Sequence, residues 1–149
     1  MAAVLLIAHA PMASALRAVA GHCFAEKGHL FEAIDVAPDM SADVVEALGR
    51  AALARLEAPE VLILTDVFGA TPCNGASRLA DGERVRLVAG VNVPMLWRSL
   101  CYLAEPLDAL VARAVAGATQ GVMQVAPTRP QNQSLSPIPH DPNQSRHQQ

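Results

Sequence analysis

The chain has 149 residues, 52% of them hydrophobic, 17% charged and only 3% aromatic, with a net charge of −3. That length suits one domain, and with so few rings its core must be built from Ala, Val, Leu and Ile. A mildly acidic chain with no basic stripe and almost no rings to stack bases is not expected to bind nucleic acid.

Val4-Leu5-Leu6-Ile7 is short and wholly apolar, and reads as a buried first strand that stops at Ala8-His9-Ala10-Pro11. The apolar run over 2–8 is too short to span a membrane and has no basic residue before it. Neither membrane insertion nor a signal peptide is expected, and the chain reads as cytoplasmic. Pro11 fits the first turn of a helix over 12–26, with Leu16, Val19 and Ala20 at helical spacing and Gly28 ending it.

Residues 30–36 form a second strand. Ser41 then caps a helix over 42–56 whose Val44, Val45, Leu48 and Leu53 fall roughly on one face. Val61-Leu62-Ile63-Leu64 is a third buried strand ending at Asp66. The small-residue loop Gly69-Ala70-Thr71-Pro72 feeds a helix over about 73–79. A fourth strand spans 85–89, followed by the turn Gly90-Val91-Asn92-Val93-Pro94. Helices are expected over about 95–102 and 107–118, and a short last strand over 121–125. From residue 127 onward Pro, Gln, Asn, Ser and His dominate. Such text buries too little to offset its ordering entropy, so 127–149 is expected to be disordered, with His140 and His147 solvated in it.

The alternation of strands and helices argues for an α/β domain over 1–126, with about four parallel strands and helices on both faces. In such sheets ligands gather beyond the carboxyl ends of the strands, where strand order reverses. His9 and Asp66 sit at two such ends. His9 has a ring nitrogen able to act as a nucleophile near neutral pH, and a strand-to-helix junction offers amides suited to an anion. From position alone, a histidine that merely caps the turn fits as well. Asp66 could fix one ring nitrogen and leave the other free, or simply bond the amides of its own loop.

Thr71 could donate its hydroxyl to phosphate oxygens, and Gly69 would let amides approach them; most such loops are merely turns. Neither the P-loop lysine pattern nor Gly-x-Gly-x-x-Gly is present, so a nucleotide is not expected. His22 and His29 lie away from the strand ends and read as structural or exposed. Cys73 lies near the proposed site without a neighbouring histidine. Arg78 reads as solvated or facing a partner. Cys23, Cys73 and Cys101 are scattered, odd in number and without a Cys-x-x-Cys pair, which argues for free thiols in a reducing compartment rather than disulfides or zinc.

The stretch from Asp66 to Arg78, DVFGATPCNGASR, resembles the long signature of the mannose-family IIA domain of the sugar phosphotransferase system. Val88-Ala89-Gly90-Val91-Asn92-Val93-Pro94-Met95-Leu96 resembles that family's second signature. Leu5-Leu6-Ile7-Ala8-His9 is similar to the segment carrying its phosphorylated histidine. The resemblance covers roughly residues 2–126, with the three motifs in the family's order.

It implies four parallel strands plus an antiparallel edge strand, here 121–125, exchanged between the subunits of a homodimer. It also implies phosphoryl transfer from the phosphocarrier protein HPr to His9 and onward to a IIB component. His9 carries over as the phosphorylated residue and Asp66 as its orienting carboxylate, with Ala10, Gly69 and Thr71 around the phosphate. No metal or other cofactor is expected. Glycine commonly follows the histidine in that family, where this chain has Ala10-Pro11. The polar tail in place of a fused IIB domain leaves open a regulatory sensor without a transport role, or a phosphotransfer subunit of a dihydroxyacetone kinase.

Overall fold

The first strand, β1 (Ala3–His9), is buried at every position but its last, His9. A strand apolar on both sides of its pleat must be covered on both faces, which places it inside a sheet. It lies there in the computed structural model, which describes residues 1–127. The tail expected to be disordered, with His140 and His147, lies outside the described residues except for Pro127.

After β1 come α1 (Met12–Cys23), a 3₁₀ stretch (Ala25–Leu30), β2 (Phe31–Val36) and α2 (Ala42–Leu56). Then follow β3 (Val61–Thr65), α3 (Thr71–Ser77), β4 (Val85–Ala89), α4 (Val93–Cys101) and α5 (Leu107–Gln120). The four strands are all parallel, in the order β2-β1-β3-β4. β1 therefore leads outward to β2 on one side, while β3 and β4 extend the sheet on the other. The reversal falls between β1 and β3.

Alternation along the strands sorts the core into two layers. Val4, Leu6, Ala8, Leu62 and Leu64 pack with Leu16 of α1, Leu96 and Leu100 of α4, and Leu110 of α5. Leu5, Ile7, Val61 and Ile63 pack with Val45, Ala52 and Leu56 of α2 and Ala76 of α3. The parallel α/β architecture with helices on both faces is thus as the sequence indicates. No helix among the described residues is long and apolar enough to cross a membrane.

Differences from the sequence reading are local. α1 stops at Cys23, and residues 25–30 tighten into 3₁₀ geometry before β2. α3 and α4 each begin two residues earlier than expected, because Pro72 and Pro94 occupy first-turn positions where a missing N–H has no cost. The largest difference is at the end. α5 continues to Gln120, and residues 122–127 form no strand in this single chain. A strand needs a neighbour to hydrogen-bond, and among the described residues of one chain these have none.

Two helices approach closely at Gly75. A Cβ placed there would lie 2.5 Å from Cβ of Val45 and 3.0 Å from the carbonyl oxygen of Ala42. Both lie on α2, and one of them is backbone, which cannot rotate aside. Gly75→Ala is therefore expected to destabilise the protein by about 1–3 kcal/mol, the usual cost of overpacking, despite alanine's better helix propensity. Urea denaturation checks this; equal or greater stability would mean that α2 and α3 separate freely.

Candidate functional site

The carboxyl ends of β1 and β3 lie side by side at the strand-order reversal, and each ends in a polar residue. Asp66 follows β3 directly, and its Oδ2 accepts from two atoms of His9 at once. The His9 backbone N–H donates at 2.9 Å and the ring Nδ1 lies 2.6 Å away. Its Oδ1 accepts the amide of Val67 at 2.8 Å. Burial raises the Asp66 carboxyl pKa, but the His9 amide, the His9 ring and the Val67 amide outweigh that and hold it below the ordinary aspartate value.

An ionised carboxylate only accepts hydrogen bonds, so the ring nitrogen meeting it is the one that carries hydrogen. Nε2 then keeps its lone pair. The His9 side chain is 52% exposed while that of Asp66 is 9% exposed. The result is a sheltered carboxylate holding an accessible imidazole by its inner nitrogen. This constellation suits nucleophilic attack on an electrophile arriving from solvent, with the carboxylate facing the positive charge that develops on the ring.

The loop after Asp66 is fixed by its own contacts. Gly69 has φ +84, a left-handed conformation that disfavours side chains, and its carbonyl accepts Nδ2 of Asn74 at 3.2 Å. Thr71 opens α3 immediately afterwards. Val67 and Phe68 project from this loop, 57% and 87% exposed. The Ala10 amide donates to the carbonyl of Val36 at 3.0 Å. At the start of α1 the Ser14 amide is taken by Oδ1 of Asp35 at 3.0 Å.

The other residues singled out in the sequence lie elsewhere. His22 and His29 are exposed, at the end of α1 and in the 3₁₀ stretch. Cys73 is buried in α3, while Cys23 and Cys101 are exposed, and all three are free thiols. Arg78 pairs with Asp43 and Glu46 on α2 rather than facing solvent alone. Among the described residues no group of three His, Cys, Asp or Glu could hold a metal ion.

Two side chains given no role from sequence help to build this end of the molecule. Asp35 caps α1 from β2, a contact that sequence spacing does not reveal. Asn92 accepts the Met95 amide at 2.9 Å as the cap of α4, and its Nδ2 donates to the carbonyl of Ala118 at 3.2 Å. Asparagine followed by Val-Pro at a helix start carried the capping signal.

Residues 3–115 match the family model EIIA-man, described as PTS system fructose IIA component. A mannose-specific EIIAB component of the PTS system from Escherichia coli K12 is 39% identical over 93 residues, 60% of this chain. The chain spans only 29% of that protein's length. A fructose-specific EIIA component from Bacillus subtilis is 33% identical over 97 residues, covering 64% of this chain and 66% of that protein. Among solved structures, a mannose/sorbose-specific IIA subunit from Enterococcus faecalis superposes with a TM-score of 0.76. It is 23% identical and covers 86% of this chain and 97% of its own. A phosphotransferase system component EIIA from Streptococcus agalactiae gives 0.71 at 24% identity, over 83% of this chain and 97% of that one. At those identities the two structures speak for the fold.

The Asp66 carboxylate ties the site to stability. Its folded pKa lies below the unfolded value, so near pH 4 the unfolded chain binds more protons than the native one. The stability it contributes is complete above the unfolded pKa of about 3.9 and is lost as pH falls through the lower folded value. Asp66→Asn is expected to cost about 1–3 kcal/mol at neutral pH, the usual price of weakening charge-assisted hydrogen bonds. In urea titrations the gap between the two proteins should stay flat down to about pH 4 and close below it. A gap that persists in acid, or is missing at neutral pH, would show that the pair adds no net stability.

Proposed function

Because the chain belongs to the EIIA-man family of PTS system fructose IIA components, we propose that it is a phosphocarrier of a sugar phosphotransferase system with His9 as the phosphorylated residue. The observation carrying this reading is the double hold of Asp66 on His9. It commits Nδ1 to the carboxylate and leaves Nε2 as the attacking atom.

In the proposed reaction the His9 Nε2 lone pair attacks the phosphorus of phospho-HPr in line. The Nε2–P bond forms as the donor's N–P bond breaks, and the donor imidazole departs with the electron pair of that bond. The product ring, with phosphorus on Nε2 and hydrogen on Nδ1, is positively charged, and Asp66 faces that charge. Onward transfer to a IIB component reverses these roles. Gly69 and Thr71 are assigned to the phosphoryl oxygens. Ala10, its amide bonded to Val36, is left to shape the approach. Val67 and Phe68 support a protein as donor, since exposed apolar side chains on the loop that follows Asp66 offer a docking surface that a small molecule would not need.

The same reading includes a homodimer. Among the described residues β4 pairs only with β3, which leaves its other edge open there, and Val122, Met123 and Val125 just beyond α5 are 74%, 72% and 86% exposed. Exchange of this segment onto the partner's β4 would cover both. The protein functions in this reading in the cytoplasm, where HPr would meet it.

Incubation with phosphoenolpyruvate, enzyme I and HPr should add one acid-labile phosphate per chain, and His9→Ala should abolish it. Label that remains in that variant, or maps to His22 or His29, refutes the assignment.

Light scattering should give a dimer for the full chain and a monomer for a chain cut after Gly121, while a cut after Ala126 should leave the dimer intact. A monomeric mass for the full chain refutes strand exchange.

A further inference from the structure

The turn over 90–92 does not supply the nucleophile or its carboxylate, yet it is bonded to the segment that does. The Gly90 amide donates to the carbonyl of Asp66 at 2.9 Å, and the Val91 amide to the carbonyl of Thr65 at 2.9 Å. The next residue, Asn92, fastens the turn on its other side. One atom of its amide group caps α4 through Met95, and the other donates to the Ala118 carbonyl near the end of α5. The close approach continues there, since a Cβ on Gly121 would lie 2.3 Å from Cβ of Pro94.

Resting on the phosphocarrier reading above, we propose that Asn92 is a positioning residue for phosphoryl transfer. It locks the end of α5 to the start of α4, and thereby holds the turn whose amides fix Thr65 and Asp66. Capping alone would need only an acceptor, and serine or aspartate would serve equally. Asparagine adds a donor, and that donor is the part used on α5. A helix end that drifts by a fraction of an ångström moves the turn with it. Asp66 sets both the tautomer and the direction of the His9 ring, so small displacements there reach the chemistry.

Two variants separate the donor from the cap. Asn92→Ser and Asn92→Asp both accept the Met95 amide, and neither can donate to Ala118 as the amide does. With phospho-HPr as donor, phosphoryl acceptance by the full chain should fall about tenfold or more at saturating donor, with its KM unchanged. The NMR signal of the hydrogen shared between His9 Nδ1 and Asp66 should shift or broaden in both variants, while the rest of the amide spectrum stays folded. Acceptance within twofold of wild type in both, or an unchanged Nδ1 hydrogen signal, overturns the proposal. A loss confined to Asn92→Asp also overturns it, since the new charge would then be the cause. An unfolded spectrum in Asn92→Ser does the same, because the bond would then serve stability alone. Failure of the wild-type chain to accept phosphate at all is a different result and strikes the phosphocarrier reading itself.

Discussion

A single carboxylate oxygen, Oδ2 of Asp66, accepts both the amide and the ring nitrogen of His9, and the geometry of the site follows from that arrangement. The ring has one orientation in which Nδ1 meets this oxygen while the backbone does the same. The amide bond fixes where the residue sits and the ring bond fixes how it is turned. Both bonds require β1 and β3 to be adjacent and to end at one level, with Ile7 beside Thr65 as the register has it. The strand order β2-β1-β3-β4 provides this, because the chain turns outward after β1 and returns on the opposite side with β3. The site is a consequence of topology before it is a matter of side chains.

That dependence explains what was legible in the sequence. β1 and β3 are continuous apolar runs, a pattern that in a parallel sheet marks burial on both faces. A polar residue closing such a run lies at the sheet's carboxyl edge, so pattern alone placed His9 and Asp66 at that edge and left their pairing as one of two readings. Ser41 announced α2 through its side chain, and the Val44 amide does donate to its Oγ. Less legible were contacts that depend on three-dimensional closeness. Nothing near Asp35 in the chain says that it caps α1, and nothing near Ala10 says that Val36 takes its amide. The expected strand over 121–125 rested on the family resemblance, which implies an edge strand there. Local propensity cannot say whether such residues find a neighbour within their own chain.

The second signature illustrates the same limit from another side. Gly90-Val91-Asn92 reads in sequence as a turn before a helix, which it is. Its bonds to Thr65, Asp66 and Ala118 span 24 to 26 positions along the chain, and the turn geometry alone implies none of them. Motifs of this kind carry tertiary information in residues whose local role is already sufficient to explain them.

The arginine pairings bear on how the proposed carrier would differ from a binding protein. Arg50, Arg55, Arg78, Arg86 and Arg113 are each engaged by a carboxylate on the protein. A guanidinium clamped on a phosphoryl group would make strong charge-assisted bonds and hold it in a deep well. A carrier must release what it accepts, so the bound and free states of the phosphoryl group have to lie close in free energy. In the proposed arrangement the compensating positive charge is on the ring itself. It appears when the Nε2–P bond forms and disappears when that bond breaks. In that arrangement Asp66 would stabilise this transient charge without touching the phosphoryl group, and so would lower the barrier in both directions without anchoring the cargo.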